Sequence, residues 1–303
     1  MGILKQIKKV GIIPMLYKFK HLYLRPSAEV VSICSREGAY EYMLRYQHAC
    51  DKNRHYESLQ PISSFRYIWV CWFQGIENAP LLVQRCFESM QRYNAKSEVV
   101  LITEENMAQY VDIPDYILQK YKQGKMTRTH LSDIVRLLLL SKYGGVWIDS
   151  TILLTNELPH YVIESPLFIY QTPSLIGNVC CATGFMASCA HHPIIEDTLA
   201  IIKEYWKHEN KLISYSVIHL AITMAVNSSE ANKQMWKEMP LYYYADCEKL
   251  RICLNDRFDA RILDEICQFS SVHKLTYKFD EYGIDISKKG TFYDVIINAN
   301  KLC

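Results

Sequence analysis

Three charged side chains lie close together in the sequence, at spacings that would let them act on one ligand. Asp133 and Arg136 are three residues apart in a predicted helix, so they share one face of it. The helix is predicted to end at Gly144-Gly145, and the β-prone run 146–148 then delivers Asp149 at its carboxyl end. Open α/β sheets hold their ligands at this end of their strands. We therefore expect Asp133, Arg136 and Asp149 to form one active site.

The chemistry of these residues suits a ligand that carries hydroxyl groups or negative charge. Asp133 can accept hydrogen bonds from hydroxyls, and Arg136 is a rigid fork of donors. A buried carboxylate is costly when unpaired, so Asp149 should meet a metal ion, a ribose hydroxyl or Arg136. Its oxygens suit Mg²⁺ or Mn²⁺, which bridge diphosphate oxygens. The alternative is that Asp133 and Arg136 form only a helix ion pair, worth about a few tenths of a kcal/mol.

The segment matches a known pattern. Ser-Asp-x-x-Arg, an apolar helix, Tyr-Gly-Gly, a short strand and an acidic motif resemble the nucleotide-sugar glycosyltransferases of the capsular polysaccharide synthesis type. These are relatives of α-1,6-mannosyltransferase-like enzymes and clostridial glucosylating toxins, and the resemblance implies a GT-A fold with an Asp-x-Asp motif. Here the motif reads Asp149-Ser150-Thr151, so threonine replaces the second carboxylate. Because the resemblance would make that carboxylate the direct metal ligand, we expect weak binding of Mn²⁺ or Mg²⁺.

Two more segments carry the resemblance, which covers roughly residues 62–280. The run 65–75 looks like the family's first strand, whose Trp72 would stack on the nucleotide base. The run 271–278 resembles a His-Lys-Leu-Thr segment that closes over the diphosphate.

The resemblance then implies roles for three residues of the last segment. His273 would join Asp149 and Thr151 as a metal ligand, or Lys274 or Lys278 would instead place positive charge on the diphosphate. The alternative for the two lysines is a solvated surface pair. Two further residues fall where related enzymes contact the donor sugar and the acceptor, Asn178 and Tyr215.

The function implied is transfer of a sugar from a nucleotide-diphosphate sugar to a growing capsular or surface glycan of a bacterium, with retention of configuration. The alternative is a non-catalytic glycan-binding or scaffold subunit of a capsule assembly complex, for which Thr151 is the support. A metal-dependent hydrolase is disfavoured because no His-Asp cluster has ligand spacing.

Composition narrows the remaining classes. The 303 residues are 50% hydrophobic, which is enough for one sizeable core, and a net charge of +2 without a basic stripe gives no support for nucleic acid. Eleven cysteines without a Cys-x-x-Cys pair indicate free thiols in the cytosol rather than a disulfide framework. The alternative is a metal site in the cysteine and histidine cluster at Cys180, Cys181, Cys189, His191 and His192. Oligomeric state leaves no signal in the sequence.

The pattern along the chain predicts an α/β fold, a mainly parallel sheet flanked by helices. Residues 1–60 form a predicted helical extension and residues 61–303 a GT-A-like domain. Strands are predicted at Tyr67–Phe73, Glu98–Ile102, Val146–Ile148, Leu167–Tyr170 and Cys180–Ala187, with a late one at Tyr242–Tyr244.

The extension begins with a basic amphipathic segment. Residues 1–28 contain six Lys or Arg and no acid, with apolar residues on one face of the predicted helix. Residues 1–26 would place a cytoplasmic protein peripherally on an anionic membrane. The alternative is a helix packed on the domain. No apolar run approaches the roughly 18 residues of a transmembrane helix.

Overall fold

The computed structural model describes residues 28–51, 59–62, 65–173 and 178–300. The predicted basic helix of residues 1–26 lies outside the described residues. Within them, no helix is long and apolar enough to cross a membrane.

The centre of the protein is a five-stranded mixed sheet. In spatial order its strands are β2 (Glu98–Ile102), β1 (Tyr67–Cys71), β3 (Gly145–Ile148), β6 (Cys181–Ser188) and β5 (Leu167–Gln171). Strand β1 pairs in parallel with β2 and β3, whereas β6 pairs antiparallel with β3 and β5. Four strands of this sheet thus run in one direction and β6 is reversed. The predicted α/β fold with a mainly parallel sheet is confirmed.

A second sheet has two short strands. Strand β4 (Ile152–Leu154) pairs antiparallel with β7 (Val272–Lys274), and Ile152 lies opposite Lys274. The backbone N–H of Leu275 extends the pairing by donating to the carbonyl oxygen of Thr151 at 2.8 Å. This pairing brings the segment 271–278 beside the carboxyl end of β3.

The described residues also form twelve α-helices. They are α1 (Ala28–Met43), α2 (Leu81–Tyr93), α3 (Met107–Tyr110), α4 (Asp115–Lys122), α5 (Arg128–Tyr143), α6 (His160–Ile163), α7 (Pro193–His208), α8 (Val217–Val226), α9 (Glu230–Glu238), α10 (Lys249–Cys253), α11 (Ala260–Phe269) and α12 (Phe279–Tyr282). The predicted strand at Tyr242–Tyr244 is wrong. That segment makes only an isolated bridge between Gln171 and Tyr243 and then a 3-10 turn, Tyr244–Glu248.

Alternation along the strands divides the core into two parts. Trp69 and Trp147 belong to a cluster beneath α5, α7 and α8. Their neighbours Ile68 and Val146 point the other way, into a cluster with α2, α10 and α11. Because both faces of the sheet are covered, the buried positions of its central strands are mostly apolar, with Thr183 and Ser188 of β6 as polar exceptions.

The described part of the predicted 1–60 extension packs on the first cluster. Ala39, Met43 and Tyr46 are buried there. The hydroxyl of Tyr46 donates to Glu209 Oε1 at 2.6 Å, which ties the segment to the end of α7. Residues 39–50 therefore share the core of the sheet domain.

Candidate active site

The turn between α5 and β3 fixes the position of the site. Thr127 caps α5 by accepting a hydrogen bond from the backbone N–H of His130 at 3.2 Å. At the other end Gly144 and Gly145 have φ values of 65° and 96°, a region that favours glycine. A Cβ at Gly145 would lie 2.5 Å from the carbonyl oxygen of Tyr67, so the close approach of β3 to β1 requires glycine. The predicted end of the helix at Gly144-Gly145 is confirmed.

Asp149 follows β3 directly and both of its carboxylate oxygens are occupied. Oδ1 accepts hydrogen bonds from Arg136 Nη2 and Trp147 Nε1, both at 2.9 Å. Oδ2 accepts one from Lys274 Nζ at 2.7 Å. Burial by itself raises the pKa of Asp149, but the charges of Lys274 and Arg136 outweigh burial and hold the pKa below its usual 3.8. The carboxylate is therefore ionised, and its expected contact with Arg136 is observed.

Arg136 is buried, and two of its nitrogen atoms make no hydrogen bond among the described residues. Its Nη2 also lies 3.3 Å from Asp133 Oδ1, and its guanidinium carbon lies 4.7 Å from the centre of the Trp147 ring. Its Nε and Nη1 atoms are buried without a hydrogen-bond partner among the described residues. Because unsatisfied buried donors are costly, these two N–H groups mark Arg136 as a residue whose hydrogen bonds the fold leaves incomplete.

Asp133 is positioned by a buried histidine. Trp206 Nε1 donates to His130 Nε2 at 2.8 Å. An indole N–H can only donate, so the proton of neutral His130 must lie on Nδ1. His130 Nδ1 lies 3.5 Å from Asp133 Oδ2, which directs that proton toward the carboxylate. Asp133 and Arg136 are thus parts of a buried network rather than an isolated surface ion pair.

These side chains line a cavity of about 620 Å³, within the usual range for small-molecule sites. Predicted site residues on its wall are Trp72, Asp133, Arg136, Asp149, Thr151, Tyr215, Lys274 and Lys278. Its cationic residues are Arg128, Arg136, Arg251, Lys274 and Lys278, and its acidic residues are Asp133, Asp149 and Glu248. The excess of positive charge suits an anionic ligand.

An aromatic pair stands on one wall. Trp72 and Tyr277 form a T-shaped pair with ring centres 5.5 Å apart and an interplanar angle of 85°. Its Nε1 atom is buried and has no hydrogen-bond partner in the part of the chain that the structure describes. Tyr215, at 78% exposure, stands at the rim.

Sequence reasoning missed several residues of the cavity, among them Gly184, His219, Glu248 and Arg251. Gly184 on β6 lies beside Asp149, and a Cβ there would be 2.9 Å from Asp149 Oδ2. Glu248 ends the 3-10 turn and Arg251 lies in α10, and the two side chains form an ion pair at 2.8 Å. His219 is buried and its Nε2 lies 3.3 Å from Thr183 Oγ1; burial lowers its pKa to about 4. A histidine within the apolar helix α8 was the one local signal available.

The structure does not bring two predicted residues to the cavity. His273 is fully buried on the other face of β7, where its Nε2 lies 3.0 Å from Thr155 Oγ1. The reason is strand alternation, because its neighbour Lys274 takes the cavity side. Asn178 is likewise not among the described residues that line the cavity. Lys278 does reach the wall, where it pairs with Glu281 at 3.2 Å.

The residues at Asp149 do not fit a divalent cation. Both carboxylate oxygens are bound by N–H donors, Thr151 offers a neutral and mostly buried hydroxyl, and His273 faces away. Across the described ranges, no group of three or more His, Cys, Asp or Glu side chains could hold a metal ion, and this includes the cysteine and histidine cluster at residues 180–192. No chemical step proposed below therefore runs through a metal ion.

The fold and the cavity together define an α/β protein with a predominantly cationic cavity at the carboxyl ends of central parallel strands. Its family can be stated as well. The chain belongs to the capsular polysaccharide synthesis protein family, which matches residues 37–296. The family resemblance predicted from the sequence is confirmed.

Two curated relatives and one solved structure are similar to parts of the chain. It is 28% identical over 167 residues to "O-glycosyltransferase braB" of Annulohypoxylon truncatum, covering 50% of this chain and 40% of that protein. It is 30% identical over 105 residues to "Glycosyltransferase afumC" of Aspergillus fumigatus, covering 32% and 27%. The chain thus spans less than half the length of these fungal relatives. The solved "PaToxG Glycosyltransferase" aligns with 89% of this chain and 93% of its own, at 15% identity and a TM-score of 0.37.

Proposed function

We propose that this chain is a glycosyltransferase that takes a sugar from a nucleotide-diphosphate sugar and transfers it to a hydroxyl of a capsular or surface glycan. The observation that carries the proposal is the cavity in which Arg136 and Lys274 flank the ionised Asp149. The two relatives named as glycosyltransferases support the same class of reaction. A bacterial capsule as the destination stays a prediction, because these relatives are fungal.

Each part of a nucleotide sugar has a partner of suitable chemistry in the cavity. Trp72 offers a flat ring to the base, as stacking requires. Arg136 and Lys274 offer N–H donors to the diphosphate, and donors fixed in advance stabilise the charge that develops there. Asp133 offers carboxylate oxygens to hydroxyls of the donor sugar.

The reaction forms one bond and breaks one. The acceptor hydroxyl oxygen bonds to the anomeric carbon while the bond from that carbon to the diphosphate oxygen breaks. The bonding electron pair leaves with the diphosphate, and the proton of the acceptor hydroxyl passes to a diphosphate oxygen. We propose retention of configuration, so the acceptor would attack from the face that the diphosphate leaves; Tyr215 at the open rim is suited to contact it.

A donor panel tests the proposal. The purified protein is incubated with UDP-, GDP- and TDP-sugars, and the release of free nucleotide is measured with and without Mn²⁺. Release from one donor class is the expected result, and NMR of the product then gives the anomeric configuration. The same assay is run on Asp149→Asn, which should lose release. Its matched control is Asp246→Asn, because Asp246 pairs with Lys249 outside the cavity. If the protein binds a nucleotide sugar but releases no nucleotide under any condition, the result would favour the non-catalytic scaffold. Thr151 is the one residue that argues for that alternative.

A further inference from the structure

The fold fixes the position of Lys274, because this residue lies in a paired strand and not on a flexible surface segment. It lies on β7 opposite Ile152, in a strand pair that begins three residues after Asp149. The Nζ atom lies 2.7 Å from Asp149 Oδ2, and the two side chains are 21% and 25% exposed. A lysine fixed in this way stays at the cavity wall with its charge.

On the side of β6, this ion pair leaves no room for another side chain. A Cβ at Gly184 would lie 2.9 Å from Asp149 Oδ2 and 3.5 Å from Lys274 Nζ, so the absent side chain makes space for the pair. The other carboxylate oxygen is held by Arg136 at 2.9 Å. A divalent cation on Oδ2 would have to displace an ammonium group or sit beside it, against like-charge repulsion.

The ammonium group also has capacity for a ligand. It carries three N–H donors, one of which is directed at Asp149. Arg136 adds a second cation on the other oxygen of the same carboxylate. The two cations therefore lie beside each other at the cavity wall, and a single carboxylate holds both in place.

We propose that Lys274, positioned by Asp149, carries the positive charge that a divalent metal would otherwise supply to the departing diphosphate, so that transfer by this chain is independent of metal. This inference rests on the proposed glycosyltransferase function. As the bond from the anomeric carbon to the diphosphate breaks, the oxygen that receives the electron pair gains negative charge, which the Lys274 ammonium and the Arg136 guanidinium stabilise. The neutral Thr151 in the Asp-x-Asp position fits this arrangement, since no second carboxylate is needed.

The first test is made on the wild-type chain. We expect nucleotide release to stay within about twofold when the protein is treated with excess EDTA, and again when Mn²⁺ is added back, because a fixed cation replaces the metal's electrostatic role. Mn²⁺ alone is titrated into the protein and followed by electron paramagnetic resonance, and we expect no loss of the free-ion signal. Release that EDTA abolishes and Mn²⁺ restores would overturn the inference, and so would stoichiometric Mn²⁺ binding.

The second test removes the ammonium group. Lys274→Ala should lower kcat by about 100-fold or more, as loss of one preorganised donor does. Added ethylamine should restore part of that loss and Mn²⁺ should not, because a small amine returns the charge to the space that the side chain left. The matched control is Lys233→Ala, which removes a lysine paired with Glu230 at 2.6 Å outside the cavity and should leave release unchanged.

The results separate the two proposals. A Lys274→Ala protein that keeps more than about a tenth of wild-type kcat, a loss below about 1.4 kcal/mol, would overturn the role of Lys274. If circular dichroism shows that this variant does not fold, the EDTA and Mn²⁺ results on the wild-type chain decide the question. Absence of release from every donor would overturn the proposed function, whereas Mn²⁺ binding by the protein alone would still decide whether the site takes a metal.

Discussion

At the scale of residues, the site is a series of polar contacts that leads from the core to the cavity. Trp206 donates to His130, and His130 faces Asp133. Arg136 then lies between Asp133 and Asp149. Because each member orients the next, we expect substitutions along the series to be non-additive.

Asp149→Asn should abolish transfer and leave the fold intact. The amide has the shape of the carboxylate but lacks the charge that holds Arg136 and Lys274. We expect a loss of more than about tenfold in turnover, equivalent to about 1.4 kcal/mol or more, with an unchanged circular dichroism spectrum. Turnover above a tenth of the wild-type value would remove Asp149 from the site.

The ionised form of Asp149 should also contribute stability at neutral pH. Its pKa is lower in the folded chain than its ordinary value, so the contribution is complete above about pH 4 to 5 and is lost as the pH falls through the folded pKa. We expect the difference in Tm between the wild-type chain and Asp149→Asn to be constant from about pH 7 to pH 5 and to shrink below about pH 4. A difference that shrinks already near pH 6 would contradict this assignment.

His130→Phe should destabilise the chain and disturb the site together. The substitution leaves the buried Trp206 N–H without its acceptor, which costs about 1–3 kcal/mol in the free energy of unfolding. It also removes the donor that faces Asp133, so kcat should fall as well. Urea unfolding and nucleotide release measure the two effects. The control is His208→Phe, at an exposed histidine bonded to Glu204, which should change neither quantity.

At the scale of elements, the two-glycine turn decides how closely α5 brings β3 to the rest of the sheet. Gly144 ends the helix and Gly145 begins the strand within one residue. Such a tight connection places the residues of the last helical turns and the end of β3 at fixed separation. The spacing of Arg136 and Asp149 thus depends on this turn.

Gly145→Ala should be strongly destabilising. Its φ is +96° and a Cβ would meet the Tyr67 carbonyl oxygen at 2.5 Å, so the strand pair must open. Gly124→Ala is the matched control, because Gly124 has a φ of +70° but nothing within 4 Å of a Cβ. We expect about 1 kcal/mol for the control and at least about 3 kcal/mol for Gly145→Ala by urea unfolding. Equal losses would show that only the backbone angle matters.

Local sequence was sufficient for the elements that carry their own signals. The apolar helix, its glycine end, the strand 146–148 and the carboxylate after it are read from neighbouring residues, and the structure has each of them. The reversed direction of β6 has no such signal, because strand direction depends on the distant partners β3 and β5.

The same limit explains the errors at the site. In a strand of three residues, sequence does not state which of His273 and Lys274 faces the cavity, and only the pairing with β4 decides it. Gly184 reaches Asp149 from another part of the chain, so its role depends on tertiary contact. Tyr242–Tyr244 has strand-forming residues but only one bridge to Gln171, because tertiary context overrides propensity.

At the scale of the whole molecule, positive charge is concentrated rather than abundant. The chain carries a formal charge of only +2, yet the cavity has five cationic and three acidic residues on its wall. A second concentration lies in the sequence of residues 1–28, with six cationic residues and no acid. Salt should therefore weaken two processes independently, the binding of an anionic ligand in the cavity and the binding of residues 1–28 to an anionic membrane.

Removing residues 1–26 should release the protein from anionic vesicles. Lysines near such a surface contribute about 1 kcal/mol each, so binding should weaken at high salt. Nucleotide release should persist in the shortened chain, because the cavity wall begins at Cys71. Sedimentation with phosphatidylserine vesicles measures attachment, and phosphatidylcholine vesicles are the control. If the shortened chain still sediments, or the full chain never does, the peripheral membrane role is wrong.

The pairing of β4 with β7 also determines when, during synthesis of the chain, Lys274 can reach Asp149. Asp149 and Lys274 are 125 positions apart, so at about 5–20 residues per second the ribosome adds the lysine on the order of 10 s after the aspartate. During that interval Arg136 alone can neutralise the carboxylate. A nascent chain therefore cannot complete the charge pattern around Asp149 until residue 274 has been translated, and binding of a nucleotide sugar should begin only after β7 has joined β4.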